Sequence, residues 1–142
     1  MKSRKRAAAI GAAIALIAAL AVPSAASAIA LSEPIATNQT VEYATYRYHV
    51  AGPASLQINS MPTCGGGAID GALRISTTGV RVTPYLSWSQ LASNPLGVRK
   101  SFRTTNTNST TIPTGYYALT ILTHGAAGGC NGTYSWSGDL AI

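Results

Sequence analysis

The sequence predicts an all-β protein: one antiparallel β-sandwich of seven or eight strands, jelly-roll or Ig-like, preceded by a helical signal peptide. Three observations carry this. After residue 28 the chain holds sixteen Thr and eleven Ser but only one Lys and two Glu, a composition poor for exposed helices and good for strands. Apolar and polar residues alternate with period two in short runs, separated by turn residues at spacings of about 8–12 residues. No stretch after residue 28 has a 3.6-residue apolar period, so the helical crossovers that a parallel sheet needs are missing.

The elements follow in order. Met1-Lys2-Ser3-Arg4-Lys5-Arg6 is a compact positive start. The apolar run from Ala7 to Val22 is shorter than the roughly 20 residues that span a bilayer. Pro23 ends it, and Ala26 and Ala28 form the A-x-A pattern of a signal-peptidase site. Residues 1–28 are therefore read as a cleaved signal peptide, 29–40 as a loosely ordered lead-in, and 41–142 as the sandwich domain. Arg4 and Arg6 are split by Lys5, so there is no twin-arginine pair. No Cys lies near the cut, and no sorting motif closes the chain. The expectation is a freely secreted bacterial protein, exported by the general secretory pathway and without a membrane span after cleavage.

Val41 to Val50 reads as the first strand, with Arg47 and His49 on its wet face and Tyr46, Tyr48 and Val50 on the other. Ala51-Gly52-Pro53 is a turn. Ala54 to Asn59 is a short strand with Leu56 and Ile58 on one face. Ala68 to Ser76 turns Ile69, Gly71, Leu73 and Ile75 one way. Val80 to Ser89 is an edge strand or is broken at Pro84, which has no N–H to donate. Val98 to Thr104 alternates Val98, Lys100 and Phe102 with Arg99, Ser101 and Arg103. Pro113-Thr114-Gly115 is a turn. Tyr116 to His124 is the strongest strand, and Thr133 to Ile142 closes the domain with Tyr134, Trp136, Gly138 and Leu140 on one face.

Charge excludes one class of partner. The formal +6 is mostly the property of the export segment: beyond residue 28, five Arg and one Lys face Glu33, Glu42, Asp70 and Asp139. A nucleic-acid partner needs clustered Lys and Arg, and none is expected. Arg99, Lys100 and Arg103 form the one basic cluster, a solvated strand face or a contact for an anionic wall polymer or lipid head group. Cys64 and Cys130 are an even pair in an exported chain and read as a disulfide. A bridge closing that loop contributes roughly 4 kcal/mol by chain entropy. A metal site is not expected, because no C-x-x-C is present and the two His are isolated. No cofactor fingerprint is present.

Catalysis is not expected either. Only His49, His124 and four carboxylates could act as acids or bases, and no G-x-S-x-G supports a triad. The aromatics are more informative: seven Tyr and two Trp against one Phe. Tyr and Trp join a flat apolar face to a polar tip, which suits sugar stacking and protein contacts as well as core packing. Trp88, Tyr116 and Trp136 are the candidate ligand contacts. The run Ile112-Pro113-Thr114-Gly115-Tyr116-Tyr117-Ala118-Leu119-Thr120-Ile121 resembles a segment of extracellular bacterial β-sandwich modules, some appended to secreted peptidases and others to sugar-binding proteins. It covers ten residues and carries over no binding residue. The functional expectation is a small non-catalytic binding module for an extracellular glycan or a protein. The alternative is a diffusible effector, such as a bacteriocin-like toxin or enzyme inhibitor.

Overall fold

The computed structural model describes residues 28–36, 38–61, 67–124 and 133–142. The predicted signal segment up to residue 27, and both cysteines of the predicted bridge, Cys64 and Cys130, lie outside the described residues. Among the described residues there is no helix. Eleven strands are present: β1 (Ala28–Ala36), β2 (Thr40–Glu42), β3 (Arg47–His49), β4 (Gly52–Pro53), β5 (Ser55–Ser60), β6 (Ala68–Ile75), β7 (Leu86–Ser89), β8 (Arg99–Ser101), β9 (Thr111–Ile112), β10 (Gly115–Thr123) and β11 (Thr133–Ala141). They form a four-stranded sheet of order β1-β11-β5-β8 and a five-stranded sheet of order β2-β10-β6-β7 in which β3 also pairs with β10. A two-stranded ribbon joins β4 to β9. Every strand pair is antiparallel.

The alternation read from the sequence builds the core. Leu56 and Ile58 of β5 and Trp136 and Leu140 of β11 meet Ile69 and Leu73 of β6, and Tyr117, Leu119 and Ile121 of β10, in one apolar cluster. Within each strand they lie two or four residues apart, so they line one face of each sheet. Gly138 shows how closely the four-stranded sheet is built. The register between β11 and β5 shifts between Ser137 and Gly138, leaving Asn59 as the extra residue of a bulge. A Cβ at Gly138 would lie 2.3 Å from the Gln57 carbonyl oxygen and 3.0 Å from the Trp136 ring.

Several expectations are corrected. Residues 29–36 are not a loose lead-in: β1 pairs residue for residue with β11, from Ala28↔Ala141 to Ala36↔Thr133. Leu31 and Ile35 point into the core, and Pro34 is tolerated because β1 is an edge strand. The single strand expected from Val41 to Val50 is two, β2 and β3, which pair with the two halves of β10. Residues 43–46 leave the ladder between them. Its faces are also reversed. His49 is buried at 4% exposure, whereas Tyr48 and Val50 are exposed, because β3 must continue the face set by Tyr117 on β10. Gly52-Pro53 is not a turn but the short strand β4, against Thr111 and Ile112. The run from Val80 to Ser89 breaks around Pro84, leaving β7 as an edge strand.

Candidate functional site: the tyrosine and arginine face

The two outward sheet faces differ in chemistry. On the four-stranded sheet, most outward residues are small and polar, Ser32, Ser55, Gln57, Ser135, Ser137 and Asp139, with Arg99 beside them on the edge strand β8. Ser137 and Asp139 bond to neighbours on β5, Ser137 Oγ with Ser60 Oγ at 2.6 Å and Asp139 Oδ2 accepting from Asn59 Nδ2 at 2.8 Å. The outward face of the five-stranded sheet carries Tyr, Arg, His and acidic side chains instead.

Register places these side chains. Tyr48 of β3 stands directly opposite Tyr116 of β10. Their ring centroids are 5.2 Å apart at 55°, a favourable tilted pair. The two are exposed at 56% and 53%. Two residues along β10, Ala118 faces Arg74 of β6, and Arg74 in turn faces Arg81 across an isolated bridge. Arg74 is 5% exposed. It fills the gap between β2 and β3, donating Nη1–H to the Tyr46 hydroxyl and Nη2–H to the Tyr43 carbonyl. Its carbon Cζ lies 5.0 Å from the Tyr46 ring centre, and Glu42 Oε2 stands 3.9 Å from Nε. Nε itself has no hydrogen-bond partner. Arg81 stacks on Tyr85 at 4.2 Å. A row Tyr46–Arg74–Arg81–Tyr85 therefore crosses the sheet beside the Tyr48–Tyr116 pair.

At the far end of the same face Asp70 lies opposite Ser87. Asp70 Oδ1 accepts the Ser87 hydroxyl, and Oδ2 lies 2.7 Å from His124 Nε2. Ser, Asp and His are all present, but in the order Ser87–Asp70–His124. A Ser hydrolase needs the imidazole in the middle, where it takes the hydroxyl proton. Here the carboxylate occupies that place. His49, the other candidate base, is packed edge-on against Tyr117 with centroids 6.0 Å apart, and its Nε2 is 3.3 Å from the Gly52 carbonyl.

Of the three predicted ligand contacts, only Tyr116 lies on a surface. Trp88 and Trp136 are corrected: both are 0% exposed. Trp88 projects from β7 into the core beside Ile69, and its Nε1–H donates to the Val98 carbonyl at 2.7 Å. Trp136 projects from β11 between the sheets, and its Nε1–H donates to the Tyr43 hydroxyl at 2.7 Å. Neither ring has a face left for a ligand. Sequence reasoning missed Tyr48 because it gave β3 the opposite orientation; the cross-strand partner of Tyr116 was the missing signal. The basic cluster is also divided. Lys100 turns inward, 5.2 Å from the centre of the Trp88 ring, and donates to Ser87 O and, at 3.0 Å, to Asn94 Oδ1. Arg99 and Arg103 face outward, Arg99 on Ser55 Oγ and Arg103 on the Asn108 carbonyl.

Face and fold together define an all-β protein of antiparallel sheets with an aromatic and cationic outer surface. No family model matches the chain, and no curated protein matches it. It is similar to solved structures of infectious bursal disease virus: the VP2 subviral particle (20% identity, TM-score 0.40), the Gx strain (20%, 0.34) and the Gt strain (19%, 0.35). Each match covers 82% of this chain and 29–30% of the viral chain. The chain thus spans about three tenths of the length of the structures it matches. The likeness is to a β-rich fold and extends no further.

Proposed function

We propose that this is a secreted, non-catalytic binding module whose ligand, an extracellular glycan or a protein, packs on Tyr48 and Tyr116. The exposed, stacked pair of these two tyrosines carries the reading. Two rings held across adjacent strands form a flat apolar platform with hydroxyls at its rim, and the backbone ladder already fixes their position. Trp88 and Trp136 drop out, and Tyr48 takes their place beside Tyr116.

Further parts of the reading belong with it. The domain is a β-sandwich of the jelly-roll kind: its two large sheets share one core, and their orders, β1-β11-β5-β8 and β2-β10-β6-β7, pair early strands with late ones in both sheets, as two Greek keys do. Tyr117, near the start of β10, donates its hydroxyl to the Pro113 carbonyl at 2.9 Å. Residues 1–28 direct export through the general secretory pathway and are removed. Cys64 and Cys130 form a disulfide. In support, the loops that carry them leave adjoining strand ends, where His124 N–H donates to the Ala68 carbonyl at 2.8 Å.

Co-sedimentation of residues 29–142 with bacterial cell walls and insoluble polysaccharides tests the binding reading. Tyr48→Ala and Tyr116→Ala should each weaken a saturable interaction by about tenfold, or 1.4 kcal/mol. Both side chains are exposed, so the variants should stay folded. Unchanged binding by both would remove the platform from the reading.

A further inference from the structure

We infer that the ligand is an anionic glycan, and that its carboxylate or phosphate group docks on Arg81 while its sugar rings lie on Tyr48 and Tyr116. This rests on the glycan form of the binding reading above. The observation behind it is the Arg74↔Arg81 pairing. Like charges directly opposite each other in a sheet repel, and this pair has one acid to offset it. Glu42 stands beside Arg74, at 3.9 Å from Nε. Asp70, the other acid on the face, is taken by Ser87 and His124. Among the described residues, no carboxylate pairs with Arg81.

The posture of Arg81 fits a planar anion. Its guanidinium lies over the Tyr85 ring at 4.2 Å, which spends its flat face on the aromatic and leaves the N–H edge for a bidentate acceptor. Behind it, Arg74 is 5% exposed and its Nε has no hydrogen-bond partner. An anion at Arg81 would offset the repulsion between the two cations. The neighbouring surface fits the rest of a sugar chain. Tyr116 is two residues from Ala118, a step of about 7 Å along the strand, and Arg81 lies two strands across from Ala118 by way of Arg74, about 10 Å away. A polymer of several sugar units therefore spans the tyrosine platform and the cation together. The carboxylate of a uronic acid and the phosphodiester of a teichoic acid share the chemistry required.

Affinity electrophoresis of residues 29–142 in gels containing alginate, purified glycerol-phosphate teichoic acid or neutral dextran tests the inference. Retardation by alginate, by teichoic acid or by both supports it, and the pattern identifies the anion. Arg81→Gln should weaken that retardation by about fivefold, the upper range for an exposed ion pair. Added salt should weaken it further. Arg99→Gln removes the same charge on the outward face of the other sheet and should not change it. Equal effects of the two variants would overturn the inference, since net charge alone would then explain the binding. Retardation by dextran alone, with Arg81→Gln inert, would also overturn it while the tyrosine platform stands. No retardation by any polymer would remove the inference and the glycan form of the binding reading with it.

Discussion

Tyr43 sits where the two large sheets meet. Its hydroxyl accepts from Trp136 Nε1 at 2.7 Å and donates to the Pro34 carbonyl at 3.3 Å. Glu33, Arg47 and Leu119 line a shallow depression beside it. Burial raises the Tyr43 ionisation above the ordinary value of 10.0; the Trp136 N–H opposes that rise, and the Glu33 charge adds to it. Burial raises Tyr117 as well. A folded-state value above the unfolded one means that the unfolded chain loses its proton first. The stability these groups contribute is complete below pH 10 and is lost as pH rises above it. The urea midpoint should therefore fall from pH 9 to pH 11, and Tyr43→Phe should fall less steeply over that range. At neutral pH, the same variant should lose about 1–2 kcal/mol because the Trp136 N–H is left without its acceptor. An equally steep alkaline fall would remove Tyr43 from this account.

At the scale of elements, glycine and register decide what the strands can do. Gly138→Ala would drive a Cβ into the Gln57 carbonyl, so the bulge would have to open. A loss of about 1–3 kcal/mol in chemical denaturation is expected, with hydrogen exchange rising in β5 and β11 before the other sheet. Gly115 has a related part: a Cβ there would come within 3.2–3.3 Å of the Tyr117 ring, which folds back to reach Pro113. Much of this was legible in advance. The alternation of Tyr117, Leu119 and Ile121, and of Leu56 and Ile58, is local, and it orients those strands correctly. What was not legible is pairing. Val41 to Val50 alternates throughout, and nothing within it says that residues 43–46 step out so that Arg74 can enter. The orientation of Tyr48 depends on Tyr116, far along the chain. Trp88 and Trp136 illustrate the same limit, since an alternating strand names two faces without saying which is wet. β1 was obscured for a further reason: its Ala and Ile continue the Ala- and Ile-rich composition of the residues before it.

The whole molecule is held together by long-range pairings, and the predicted bridge acts at that scale. If Cys64 and Cys130 are joined, reduction should lower stability by roughly 4 kcal/mol. Thermal melts with and without a reductant, and of the Cys64→Ser, Cys130→Ser double variant, check this. A melting temperature untouched by reduction would mean that the thiols are unpaired. The same scale explains why the candidate surface is on one side. The outward groups of the four-stranded sheet are tied up in short polar bonds, its Arg99 included, on Ser55 Oγ and the Asp139 carbonyl, and the five-stranded sheet presents the aromatic residues with Arg81.

The pairing of β1 with β11 also has a consequence in time. β1 leaves the ribosome well before β11, and its sheet partner is β11 alone. β5 meets β11 as well, so β11 separates two strands that are made long before it. Until residues 133–141 emerge, the four-stranded sheet has no centre, and the inward side chains of β1 and β5 have no shared ladder to hold them over the core. Assembly of this sheet must therefore come after most of the chain has been synthesised, at the slow end of rates for a domain this small. During that interval β1 and β5 are open to pairing with other chains.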